Sequence, residues 1–143
     1  MTIQEKTELA RQKREDLQQL MVGRDYLMWR EAELLYDLKE TRLYKYDYGM
    51  EEREDVEKSW KWYCRELNIP PSTADFKAIL WKKWIVELKY NISELVGIHS
   101  RKLHRAVPYA LNRDIAENIL HEARHLSFED FILYLKELPK NTP

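Results

Sequence analysis

A lone cysteine, Cys64, excludes an intramolecular disulfide and any cysteine-based zinc cluster. It suits a reducing compartment, and the cytoplasm is the expected location. Only three glycines and five prolines occur in 143 residues, too few turn-formers for an all-β chain. The opening "MTIQEKTELARQKRED" lacks the apolar stretch of a secretory signal. No apolar run approaches the length that crosses a bilayer, so no membrane partner is expected. A glycine-rich phosphate loop is also missing. What is present is charge and hydrophobicity together. Charged residues make up 34% and hydrophobic residues 44%, which fits solvated helices around a real core and excludes a disordered composition.

The net charge of −1 conceals an uneven distribution. Residues 1–76 carry −4, residues 77–113 carry +6, and residues 114–143 carry −3. A basic block between acidic ones points to an anionic partner or to self-association through opposite charges. The alternative is that basic and acidic helices neutralise one another inside one monomer.

The pattern is helical from end to end. Residues 2–21 read as a polar helix in which Ile3, Ala10 and Leu17 recur every seven residues, with Lys6 and Lys13 in the other seam positions. It could serve as an arm, a dimerisation helix or a mobile tail. Gly23 is expected to interrupt it. Leu27, Leu34, Leu35 and Leu38 mark the apolar face of a second helix over 24–44, ended by "YKYDYGM" with a turn at Gly49. A third helix is expected from about Glu54 to Leu67, stopped by Pro70 and Pro71. A fourth follows over about 72–90, opened either by Pro71 in its first turn or by Ser72 as a cap with Asp75. Short helices near 93–97 and 101–107, capped by Ser93 and Ser100, lead to another at about 112–126. Ser127 with Asp130 caps the closing "FEDFILYLKEL", and Pro139 ends the fold. No strand and no internal repeat is evident. The expectation is an all-α fold of about six helices: an arm over 1–22, a domain over 23–138 with a hairpin at 54–90, and a frayed tail over 139–143.

His121-Glu122-Ala123-Arg124-His125 spells the H-E-x-x-H of a zinc-peptidase helix, where two histidines one turn apart bind the metal and the glutamate polarises its water. Helical spacing puts Ile115, Ile119, Ala123 and Leu126 on one face and His121 and His125 nearly opposite. The histidines should therefore face water. No histidine follows to complete the set, and Glu129, Asp130 and Glu137 are the only later acids. No metal site, cofactor or catalytic residue is expected, and a small zinc peptidase stands as a third reading.

"SWKWYCRELNIPPSTADFKAILWKKW" carries more. A helix-turn-helix needs a small residue within its first helix, which Cys64 supplies. It needs a positive φ at the turn, for which Asn68 is the best residue short of glycine. Ile69 can plug the core, and Ala74 is small where the helices would cross. Thr73, Phe76 and Lys77 would lie at the groove-facing start of the second helix, next to Ser72. Lys82 and Lys83 could hold phosphates, as could the cluster Arg101, Lys102, His104 and Arg105. Asp75 is unhelpful there, since it brings negative charge to the same end.

From about Asp25 to Leu138 the chain resembles a diffuse group of phage- and mobile-element-encoded helical proteins with a helix-turn-helix-like centre. The phrases that carry the likeness are "LKETRLYK", "SWKWYCRELNI", "PSTADFKAILWKKWIVEL", "SRKLHRAVP" and "ARHLSFEDFILYLKEL". The resemblance implies an accessory protein of the cytoplasm that binds DNA, and it supplies no reaction.

Trp60, Trp62, Tyr63, Trp81, Trp84 and Tyr90 alternate with Lys58, Lys61, Lys82, Lys83 and Lys89, a combination used by single-strand binders. The competing assignment makes Trp81, Trp84 and Leu88 core residues edged by lysine stems. Taken together, these features predict a non-enzymatic nucleic-acid-binding protein that contacts phosphates, most simply of double-stranded DNA, through residues 77–105. An adaptor or inhibitor that grips another protein with its acidic N-terminal half is the alternative, and a homodimer through the N-terminal arm is a further expectation.

Overall fold

The computed structural model describes residues 1–45, 47 and 56–140. Every regular element among them is helical. The α-helices are α1 (Ile3–Glu40), α2 (Val56–Glu66), α3 (Pro71–Leu80), α4 (Ile92–Leu95), α5 (Ser100–Ala106), α6 (Arg113–His125) and α7 (Phe128–Lys136). A π-helical segment, Trp81–Glu87, continues α3, and a 3-10 turn lies at Leu43–Lys45. The turn expected at Gly49 and the helix start expected near Glu54 lie outside the described residues.

Helix α1 corrects two expectations. It runs through Gly23 without a break. One glycine costs a helix interior only about 1 kcal/mol, and the residues around it are mostly good helix formers. The Thr2 hydroxyl caps the start by accepting from the Glu5 amide, and Arg11 pairs with Glu8 and Glu15 along the exposed arm. The second correction concerns the face. Trp29, Ala32 and Leu35 are the buried positions, whereas Leu27 and Leu34 point to water. Large aromatic area on the Trp29 side outweighs the leucine repeat in deciding which face the domain covers. At its base, Asp25 accepts from the amide of Gly97, which has a φ of +91°.

The hairpin forms as its residues predict. Cys64 and Ala74 are fully buried between α2 and α3, in a cluster with Leu35, Tyr44, Trp60 and Tyr63. Asn68 takes φ +58°, and Ile69 packs on the cluster from the turn. Pro71 lies in the first turn of α3, so Ser72 is not its cap. Burial, with Asp75 adding to it, pushes the Cys64 thiol up to about 11. It is a packing residue held as the neutral thiol.

The larger core gathers Trp29, Leu80, Trp84, Leu95, Leu103, Ile119, Phe131 and Leu135. Trp84 is wholly buried and its indole donates to the Leu103 carbonyl at 3.1 Å. The helix widens here, the Leu88 amide reaching five residues back to the Lys83 carbonyl at 3.0 Å. Trp84 and Leu88 are core as expected, while Trp81 is half-buried against Trp29. The short helices begin one residue earlier than predicted, capped by Asn91 and His99 instead of Ser93 and Ser100. Asn91 shares a reciprocal capping box with Glu94, a pairing that Ser93 could not make from inside the helix. Asn112 caps α6 and Ser127 caps α7.

The hairpin turn is testable through its one unusual backbone angle. Asn68→Gly should leave the urea midpoint unchanged or raised, while Asn68→Val should lose about 1–2 kcal/mol, because a β-branched residue is strained at positive φ.

Candidate nucleic-acid interface

A surface groove of about 620 Å³ opens where α3, α5 and α7 meet. Phe76 comes from α3, Arg101, His104 and Arg105 from α5, and Phe128, Glu129, Ile132 and Leu133 from α7. The fold brings α5 here because Trp84 ties the Leu103 carbonyl to the π-helical segment that continues α3. Leu103 and Ala106 bury their face of α5, which leaves Arg101 and Arg105 turned outward. Phe131 and Leu135 seat α7 in the same core, so Phe128, Ile132 and Leu133 stand along its outer edge.

The groove combines rings and cations. Phe76 and His104 are stacked, with centroids 4.3 Å apart and planes within 24°. Burial, reinforced by Arg105, holds the imidazole below its usual pKa, so at neutral pH it acts as an uncharged ring. The Arg101 guanidinium lies 4.8 Å over the Phe128 ring. Among the described residues neither Arg101 nor Arg105 is in an ion pair. Ile132 and Leu133 make an apolar floor, and Glu129 supplies one acid at the rim. Such a site can hold a planar ring against the aromatic wall while two cations neutralise an adjoining anion.

Of the residues that the sequence nominates, Phe76, Arg101, His104 and Arg105 converge here, His104 as a ring stacked on Phe76 and not as a cation, and the others do not. Thr73 is exposed one turn before Phe76 on α3. Lys77 pairs with Glu31 of α1 and is partly buried. Lys102 turns inward, donating to the Ala123 and Leu126 carbonyls at 2.7 and 2.6 Å, where it closes the C-terminus of α6. Lys82 and Lys83 lie on the π-helical segment, the first exposed and the second half-buried. Asp75, expected at the groove-facing end, accepts instead from the Trp60 indole and Lys39, tying α3 to α2 and α1. The contribution of α7 escapes a sequence reading. Its trace is an excess of apolar residues: Phe128, Ile132 and Leu133 add to the Phe131 and Leu135 that the core requires.

His121 and His125 are exposed, on the side of α6 away from the buried Ala116, Ile119, Leu120 and Ala123. Their rings lie 4.5 Å apart, and among the described residues no third His, Cys, Asp or Glu joins them.

The chain matches no protein-family model, no curated protein and no solved structure. Among the described residues no helix is long and apolar enough to cross a membrane.

The neighbouring cations Lys102 and Arg105 should separate in a stability assay. Lys102→Met removes a charged donor from two carbonyls and should lower unfolding free energy by about 1–3 kcal/mol. Arg105→Ala should change it by less than about 0.5 kcal/mol, as for a surface residue. Urea titration of the two variants reads the difference.

Proposed function

We propose that this chain is a non-enzymatic nucleic-acid-binding protein, an accessory of a phage or mobile element. The observation that carries the reading is the groove itself, where two arginines that form no ion pair among the described residues stand beside Phe76, stacked His104 and Phe128. The arginines would neutralise phosphates, and the aromatic wall would receive an unpaired base. This moves the centre of contact away from the start of α3. There only Ser72 and Thr73 are exposed, because Lys77 is tied to Glu31 and Asp75 to Trp60 and Lys39. Lys82 and Lys83 would extend the contact along the phosphate backbone. The chain would do this in the cytoplasm.

Fluorescence anisotropy of labelled single-stranded and duplex DNA, titrated across a salt series, tests the reading. Log affinity should fall linearly with log salt, since counterions leave as phosphates are neutralised. Arg101→Ala and Arg105→Ala should each reduce the slope by roughly 0.7–0.9. Phe128→Ala should weaken single-strand binding by about 1–3 kcal/mol, the usual loss of one stacked base. Absence of binding at low salt, or binding indifferent to all three changes, would sink the proposal and leave the protein-binding adaptor in its place.

A further inference from the structure

Helix α1 has two apolar faces, and the domain covers one of them. Trp29, Ala32 and Leu35 lie on the covered face. Leu20, Leu27 and Leu34 run along another, exposed by 72%, 67% and 45%, and Leu17, 57% exposed, lies between the two, in line with Leu35 where α1 runs beyond the domain. At about 100° per residue, Leu20, Leu27 and Leu34 drift by only 40° and lie well away from Trp29 and Ala32. With Ala10 they follow the seven-residue repeat of a two-helix seam, in which Lys13, Arg24 and Glu31 hold the remaining places.

We infer that this outer face of α1 pairs with the same face of a second copy, antiparallel, in a two-fold homodimer whose axis passes beside Gly23. Charge decides the direction. A parallel pair would set Lys13 against Lys13, Arg24 against Arg24 and Glu31 against Glu31. Turned antiparallel in the register that puts Leu17 on Leu27 of the other copy, the seam becomes complementary. Lys13 then faces Glu31, Ala10 faces Leu34, and the Arg24 stem lies across Leu20. At the flanks Asp16 meets Arg30, and the two-fold makes every one of these pairs twice.

The side chains have room for these pairings. Glu31 uses Oε2 for Lys77 and is 58% exposed. Arg30 gives one guanidinium nitrogen to Glu33 and is 64% exposed. Asp16 accepts from Gln12 through Oδ1 alone.

Gly23 supplies an independent reason. A glycine weakens a helix interior, yet in one copy a Cβ there would meet nothing within 4 Å. Nothing in the monomer calls for a glycine at this place. In the antiparallel register Gly23 faces Gly23 across the axis, where a missing side chain lets two backbones approach closely. The inference stands apart from the nucleic-acid reading, since no groove residue lies on this face.

Sedimentation velocity of the full chain over a wide concentration range reads the dimer. The double variant Leu20→Glu/Leu27→Glu should be monomeric with unchanged helical circular dichroism, because both side chains are exposed in one copy. Asp16→Arg sets like charges together at two places and should weaken the dimer roughly tenfold. Adding Arg30→Asp should restore it. A chain that stays monomeric at every concentration overturns the inference. So does a dimer that ignores the leucine changes, and a charge swap without rescue overturns the antiparallel register.

Discussion

The buried indole of Trp84 fixes the geometry on which the groove depends. Its hydrogen bond to the Leu103 carbonyl joins the π-helical segment after α3 to the middle of α5. The π-helical widening from Trp81 to Glu87 seats this ring at full burial, against Tyr90 and within reach of the Trp29 cluster. Arg113 closes the same junction, donating to the Leu88 and Lys89 carbonyls with its guanidinium 3.8 Å over the Tyr90 ring. With α5 held there, Phe76 meets His104 and the two outward arginines stand beside the α7 edge. Truncating a wholly buried tryptophan costs about 3–5 kcal/mol, so this junction is also a large part of what keeps the domain folded.

The basic block places its charges in two settings. Lys77, Lys102 and Arg113 work inside the molecule, on Glu31, on the C-terminus of α6, and on the end of the π-helical segment. Among the described residues, Lys82, Lys83, Lys89, Arg101 and Arg105 have no ion pair. Neutralisation within one monomer therefore accounts for part of this segment's charge, and the rest stands outside any ion pair among the described residues. The acidic N-terminal half meets part of this charge through Glu31, which pairs with Lys77.

Local chemistry explains which features were legible in the sequence. The hairpin was readable because its requirements are short-range: a small residue at Cys64, a tolerated positive φ at Asn68, a plug at Ile69, a second small residue at Ala74. The water-facing sides of His121 and His125 followed from helical spacing alone. Two features were not readable, for opposite reasons. Gly23 signals a break, but a helix passes through one glycine when its neighbours favour helix. Leu27 and Leu34 signal a core face, but Trp29 and Ala32 took that place, and periodicity does not say which of two apolar stripes a domain will cover. The groove was half-visible. Phe76, Arg101, His104 and Arg105 were nominated, while Phe128, Ile132 and Leu133 came from a helix brought in by tertiary packing. Lys102 looked like Arg101 and Arg105 in the sequence and differs only because α6 ends beside it.

Nitrogen–proton correlation spectra of the labelled chain, titrated with a short single-stranded oligonucleotide, test whether the groove is the contact surface proposed above. Perturbed amides should cluster at Phe76, at 101–105 and at 128–133, with α6 and the N-terminal arm silent. Perturbations confined to Ser72 and Thr73, or to the arm, would contradict the account, as would a spectrum that does not change.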